Sequence, residues 1–355
     1  MTPRKTKPRP TINEVAERAG VAKTTVSHAI SGKRPVAPAT RERIFAAMSE
    51  LQYSPSPIAR RLAGSPSHAI ALVLPLASPT IADVEVRYIA SIGAVVNQHG
   101  YTFLTLTAPQ VNVDDLRQIV YSGLVDGVLL MRIQQKDERV KLLRETDIPF
   151  VMIGRTRDNK GLTFVDLNGE AAIELAVDYM VELGHHAIGF ICPEDLNFAF
   201  AHRIVKGFEK SCEQHQLPCL MAPAIWSADA GYRAMLALLE QHPEITAVIA
   251  WSEVVTVGAV SALRDMGRKI PDDISFISFD RSEHLHLASS DLTVIDTRPE
   301  AVGAQAAQML INLLQNEPLE RAQVLMPPLL INGKSTVRCA NGQAAQLSIT
   351  PGVLN

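Results

Sequence analysis

The sequence predicts two architectures in tandem: a small all-α helix-turn-helix head over residues 11–53, and a larger α/β body over residues 65–338. Three observations carry this. Charge is unevenly divided: residues 1–64 hold 12 Lys+Arg against 4 Asp+Glu, a balance of +8, while the remainder carries −11. The head repeats apolar residues at helical spacing in three short segments. From Ala69 onward, apolar β-rich runs alternate with helical stretches, the signature of parallel sheets covered by helices. With 355 residues, 47% hydrophobic and 20% charged, the chain can bury more than one core.

Composition also excludes. No apolar stretch approaches the roughly 18 residues that would span a bilayer. The N-terminus Met1-Thr-Pro-Arg-Lys5 is basic but has no apolar run behind it, so no secretory signal is expected. Cys192, Cys212, Cys219 and Cys339 form no CxxC pair, so reduced thiols and a cytoplasmic location are expected, without disulfides or structural zinc. A basic head on an acidic body implies a polyanion-binding module joined to something else.

Residues 1–10 read as a disordered basic arm. Order begins at Thr11, which forms a capping box with Glu14. Ile12, Val15, Ala16 and Ala19 then make one apolar stripe, and Gly20 suits a left-handed helix end. A second helix runs from about Lys23 to Ile30, with Val26, Ala29 and Ile30 inward. Lys23, Thr24, Ser27 and His28 lie outward, where they can donate to phosphates or base edges. Gly32-Lys33-Arg34-Pro35 is a basic loop. A third helix, about 38–51, carries Ile44, Ala47, Met48 and Leu51, with Pro38 in its first turn. The second helix would enter a DNA major groove. The alternative is a three-helix interaction module with a solvated polar face.

Residues 54–64 are a Pro-containing hinge. They also read as a short helix, with Ser56 as N-cap, Pro57 at N1 and Gly64 beyond the end. So short a helix is marginal alone, so it should order only when two copies meet on DNA.

In the body, strands are predicted at 69–75, 101–106, 125–131, 148–153, 187–191, 246–251, 274–279 and 292–297. Helical segments intervene, for example at 84–98, 169–183, 203–215, 230–241, 254–266 and 300–315. Ligands of such sheets bind at strand C-terminal ends. Catalytic signatures are missing. There is no GxGxxG, and Gly333-Lys-Ser335 has Pro328 where a P-loop needs its first glycine. His284 and His286 find no third metal ligand. His185-His186 reads as a helix-end dipole and capping feature. No enzyme, cofactor or metal is expected.

The run from Thr11-Ile-Asn-Glu-Val-Ala through Lys23-Thr-Thr-Val-Ser-His-Ala-Ile-Ser31, with Thr40-Arg-Glu-Arg-Ile44 and Leu51-Gln-Tyr-Ser-Pro55, resembles the lactose-repressor/galactose-repressor family. The likeness continues to about Val337 through Val125-Asp-Gly-Val-Leu-Leu130, Ile148-Pro-Phe-Val-Met-Ile-Gly-Arg155, Phe164-Val-Asp166, Leu183-Gly-His185, Gly207-Phe208 and Pro271-Asp-Asp-Ile-Ser-Phe-Ile-Ser-Phe-Asp280. Two departures stand in the head: Ala22 where the family has a Ser or Thr cap, and His28 where Arg is common.

The resemblance implies a periplasmic-binding-protein-like core of two Rossmann-like subdomains, about 68–166 with 299–328 and about 167–298 with 329–338. The chain would cross between them near 166–168, 297–299 and 328–329. It implies DNA contacts from Thr11, Lys23, Thr24, Thr25, Ser27, His28, Lys33 and Arg34, and from hinge residues Ser56, Ala59, Arg60 and Leu62. Leu62 would wedge into the minor groove; ordinary packing is its alternative. The effector set implied is Ser78, Arg132, Arg155, Phe198, Arg203, Trp226, Ser252 and Asp280, with Phe200 as a further aromatic. Here too the chain departs: Ile204 holds the place of the family's arginine, Arg203 lies one earlier, Ser252-Glu253 replaces Asn-Asp, and Arg281 follows Asp280 where the family has an acid.

The tail, 339–355, lacks an apolar heptad, so a homodimer is expected rather than a tetramer. The implied function is a dimeric repressor on palindromic operator DNA, relieved by a mono- or oligosaccharide, with no membrane partner. A metabolite-corepressed regulator (a purine, for example), a solute receptor and a sugar-modifying enzyme are the rivals.

Overall fold

A computed structural model describes residues 10–31, 34–53, 66–76, 81–108, 113–281 and 291–339. The chain divides into two units, one within residues 1–69 and 114–126, the other within 70–113 and 127–355.

The first unit contains α1 (Ile12–Ala19), α2 (Lys23–Ser31) and α3 (Pro38–Glu50). Thr11 caps α1 reciprocally. Its hydroxyl oxygen accepts from the Glu14 N–H at 3.4 Å, and its own N–H donates to Glu14 Oε2 at 2.6 Å. These bonds hold the Glu14 carboxyl below its ordinary pKa. Gly20 turns the chain at φ 67°, and its N–H reaches back to Ala16 and Glu17 carbonyls. Val15, Ala19, Val26, Ala29, Ile44 and Ala47 then close a small core over which Met48, Leu51 and Tyr53 pack. Helix α5 (Val113–Ser122) belongs to this unit but for its first residue. Asp126 ties in by accepting from the Ser67 and His68 N–H groups at 2.8 and 2.6 Å. The sequence boundaries had assigned 114–126 to the body.

The second unit holds, among the described residues, two six-stranded sheets. The first has β1 (Ala69–Pro75), β2 (Thr102–Ala108), β3 (Gly127–Leu130), β4 (Phe150–Ile153), β5 (Phe164–Leu167) and β11 (Gln323–Met326), in spatial order β11-β5-β4-β3-β1-β2. The second has β6 (Ile188–Pro193), β7 (Leu220–Ala224), β8 (Ala247–Ala250), β9 (Ser275–Phe279), β10 (Thr293–Asp296) and β12 (Leu329–Ile331), in order β12-β10-β9-β8-β6-β7. The chain leaves the first sheet after β5, returns after β10 and crosses again between β11 and β12.

Helices α4 (Asp83–Gln98) and α11 (Pro299–Leu314) pack on each other beside the first sheet. Beside the second lie the pairs α7 (Gly169–Glu182) with α8 (Ala199–His215), and α9 (Ala228–Gln241) with α10 (Glu253–Asp265). The central strands are fully buried apolar runs, as expected for strands covered on both faces. No helix among the described residues is long and apolar enough to cross a membrane.

Several expectations need correction. Two helices were not among those named from sequence, α5 and α6 (Glu138–Arg144). Four strands were also missed: β5, β7, β11 and β12. The last three are sheet edges, short and partly exposed, so they lack the apolar run that marks a covered strand. β12 pairs antiparallel to β10, so the second sheet is not wholly parallel. Helix α8 starts at Ala199 rather than 203, which puts Arg203 inside its first turns.

His185 does cap the helix end, its N–H donating to the Met180 carbonyl at 3.1 Å, but its ring is a buried brace and not a dipole feature. It is 2% exposed, and its ring bridges Thr246 Oγ1 at 2.9 Å and the Val337 carbonyl at 3.0 Å. A carbonyl only accepts, so Nε2 carries the proton and Nδ1 accepts from Thr246. Burial lowers its pKa, and the neutral ring serves as a brace.

Candidate nucleic-acid interface and ligand cleft

The outward side of α2 is set by what its inward side buries. Val26 and Ala29 enter the core, which leaves Lys23 and Thr24 exposed and Thr25, Ser27 and His28 half-buried beside them. No acidic residue interrupts this face. Ala22 occupies the cap position, its carbonyl accepting from Thr25 and Val26 but with no side chain to cap the helix. Arg34 is exposed on the following loop. Thr11 spends its hydroxyl on the cap, donating to Glu14 Oε2 at 2.9 Å. Lys33 and the hinge residues Ser56, Ala59, Arg60 and Leu62 lie outside the described residues, as do Ser78, His284 and His286.

In the second unit a cleft is lined from both sheets. Its residues come from the C-terminal ends of parallel strands, where sequence places such sites. Arg132 and Ile133 follow β3, Asp166 and Leu167 are the last two residues of β5, Trp251 and Ser252 follow β8, Asp280 follows β9 and Thr297 follows β10. Of the predicted effector residues, Arg132, Phe198, Arg203, Trp226, Ser252 and Asp280 line it. Arg155 does not. It opens on a neighbouring recess, where its guanidinium holds Asp166 at 3.0 Å and Glu170 at 2.8 Å.

Two lining residues sit in the left-handed region that non-glycines avoid, Arg132 at φ 52° and Asp280 at φ 59°. Each is held there. Buried Arg139 donates from Nη2 to the carbonyls of Met131 and Arg132, and is itself clamped by Asp137. Asp280 accepts through both carboxylate oxygens from the Thr297 hydroxyl, at 2.8 and 2.7 Å, and from the Thr297 N–H at 3.0 Å. These bonds already use part of the accepting capacity that sequence assigned to ligand hydroxyls.

The Arg132 guanidinium lies 4.0 Å from the centroid of the Trp226 ring, and donates to Glu85 at 2.6 Å. One face of Trp226 is thus taken by the protein itself. Trp226 meets Trp251 edge-on at 5.3 Å, and these are the chain's only two tryptophans. Both indole N–H groups are buried without a hydrogen-bond partner among the described residues. Asp166 receives Arg155 and also Arg203 at 2.9 Å. Burial pushes its carboxyl up to about 6, against the pull of both arginines. Burial likewise pushes Asp280 up to about 6 and Glu253 up to about 8. Ser252 caps α10, accepting from the Val255 N–H at 3.3 Å.

Sequence reasoning singled out no role for Glu85, Tyr88, Asp166, Trp251 or Thr297, and marked Glu253 only as a departure from the family's Asn-Asp pair; all of them line the cleft. Trp251 and Thr297 were within reach, because each ends a predicted strand, and Glu253 lies two residues beyond one. Glu85 and Tyr88 carry no such signal; they are helical residues whose role depends on Arg132 and the opposite wall. Among the described residues no His, Cys, Asp and Glu grouping could hold a metal ion.

Two family models match parts of the chain. Residues 11–56 match the model of bacterial regulatory proteins, lacI family, and residues 177–336 match that of a periplasmic binding protein-like domain. The chain is 32% identical to the HTH-type transcriptional repressor PurR of Pasteurella multocida (strain Pm70), over 92% of this chain and 98% of that one. A solved complex of the transcriptional regulator CelR with cellobiose matches at TM-score 0.69 and 26% identity, over 92% of this chain and all of that one. The lac repressor dimer bound to operator and the anti-inducer ONPF shares the fold at TM-score 0.78 and 24% identity, covering 93% of this chain and 100% of the other.

Proposed function

The chain belongs to the lacI family of bacterial regulatory proteins, and from that premise we propose that it is a dimeric repressor of carbohydrate-utilisation genes, released from a palindromic operator by a mono- or oligosaccharide. It is a DNA-binding transcriptional regulator. The observation that carries the effector reading is the cleft itself: two tryptophans with unpartnered N–H groups stand in one lining with Asp280, Arg132 and Arg203. Aromatic walls with a few convergent polar groups suit a polyhydroxylated ring, whose C–H faces stack and whose hydroxyls bond.

On DNA, the α2 face reads bases through Ser27 and His28, while Lys23, Lys33 and Arg34 pair with phosphates. Arg60 and Leu62 act at the hinge. The effector shifts the equilibrium only to the extent that it binds the two core geometries unequally.

Fluorescence anisotropy with labelled duplexes tests this. Affinity for an inverted repeat should exceed that for random duplex, and should fall by about a thousandfold or more between roughly 50 and 200 mM salt if six or more phosphates are neutralised. A signal that ignores salt, or shows no preference for the palindrome, defeats the DNA reading.

Asp280→Ala and Trp226→Ala should keep operator binding but weaken release by the effector about ten- to a hundredfold, the worth of a lost charged hydrogen bond or stacking contact. Unchanged half-saturation in both variants would remove the effector from this cleft.

A further inference from the structure

Four carboxyl groups line the cleft, and three are matched. Glu85 holds Arg132. Asp166 holds Arg155 and Arg203. Asp280 is bonded three times by Thr297, with Arg87 at 4.0 Å. Glu253 is different. It is 2% exposed, and among the described residues its carboxyl meets only backbone donors, its own N–H and the Val84 N–H, the latter at 3.5 Å. Among the described residues no Lys, Arg or His nitrogen comes within ion-pair distance of it.

Its ionisable neighbours are acids. Asp83 on α4 and Asp280 beyond β9 both disfavour its charge, and burial does so most. A buried carboxyl without a cation keeps its proton, and a cation set beside it would draw out the charged form and pair with it.

The opposite requirement comes from the aromatic side. The indole N–H groups of Trp226 and Trp251 are donors without acceptors, and Trp251 is more than nine-tenths buried. Arg132 over Trp226 shows that this ring takes a cation on its face, yet Arg132 is itself matched to Glu85. The lining therefore calls for a molecule that carries positive charge at one end and oxygen acceptors at the other.

We propose that the cleft is built for an aminated sugar, its ammonium seated on Glu253 beside Asp280 and its hydroxyl oxygens accepting from Trp226 and Trp251. This rests on the cleft being the effector site. A neutral sugar would offer Glu253 no cation and leave it a neutral acid. A sugar phosphate would bring a second anion against Glu253 and Asp280.

Both tryptophans lie in the lining, so intrinsic fluorescence of the full chain reads occupancy directly. The probes are matched pairs, glucosamine with glucose and galactosamine with galactose, plus N-acetylglucosamine as the uncharged amide. The amine of at least one pair should bind about tenfold or more tighter than its hydroxyl partner and than the amide, the scale of one charged hydrogen bond. Glu253→Gln should erase that preference, and Glu253→Asp should keep part of it; circular dichroism confirms the fold of each.

The assignment is overturned if the hydroxyl or amide form binds as tightly as the amine, if no probe binds, or if the preference survives Glu253→Gln. Neutral sugars that bind and release operator would leave the cleft reading standing while the amine assignment falls. A sugar that releases operator without moving the fluorescence, and equally in Trp226→Phe, would remove the cleft reading as well.

Discussion

Replacing Gly258 by alanine is expected to destabilise the second sheet's half of the body by about 3 kcal/mol or more, the upper range for overpacking. Helices α9 and α10 touch there through their main chains. A Cβ on Gly258 would fall inside contact distance of the Ala228 carbonyl oxygen, 2.6 Å from its carbon and 2.7 Å from the Tyr232 nitrogen. A Cβ on Gly231 would meet the Val255 backbone in the same way. Backbone atoms cannot rotate aside as a long side chain can, so the helices must part. Trp226 lies two residues before α9 and Trp251 two residues before α10, so separation also disturbs the tryptophan pair.

Urea unfolding followed by intrinsic fluorescence should show an earlier midpoint and an altered native baseline. Gly267→Ala is the matched control. It has φ 71° but nothing within 4 Å of a new Cβ. Its cost is the left-handed backbone alone, about 1 kcal/mol. A Gly258→Ala midpoint no lower than that of Gly267→Ala would mean the two helices are not in main-chain contact.

What was legible in the sequence was what is local or strongly periodic. Thr11 and Glu14 announce the start of α1 because a capping box needs only residues three apart. The central strands were legible because burial on both faces demands continuous apolar runs. Edge strands were not: β7 carries Pro223 and alternates exposed with buried, and β12 is three residues long.

In the cleft, the strand-end rule reached Arg132 and Asp280, and the family resemblance reached Trp226. Neither could show that Arg132 lies on Trp226, because that contact joins residues far apart in the chain. Arg155 illustrates the converse. It follows a strand as a ligand-binding residue should, yet its guanidinium is turned to Asp166 and Glu170. Arg203, displaced by one position from the family's arginine, still reaches the lining, where it is held by Asp166 and the Arg155 carbonyl.

Glu253→Gln is expected to stabilise the protein, and by an amount that grows with pH. The folded chain holds the Glu253 proton up to about pH 8, against an ordinary value of 4.5, chiefly because burial penalises the charge and secondarily because Asp280 faces it. Below pH 4.5 both folded and unfolded chains carry the proton, and the group contributes its full stability. Between 4.5 and 8 the unfolded chain loses the proton while the folded chain keeps it, so this contribution drains away as pH rises. Above 8 the loss is complete. Glutamine has the same shape and never titrates, so the variant escapes the loss.

Thermal or urea unfolding of both proteins should give a stability difference that increases by roughly 3 kcal/mol from about pH 5 to pH 8. A difference independent of pH would mean that Glu253 is ionised in the folded chain near neutrality. The side chain that weakens the fold is the one that faces the cleft without a cation. A cationic ligand would lower its pKa toward the ordinary value, so at pH 7 such binding should release a proton and recover part of the stability that the glutamine variant gains.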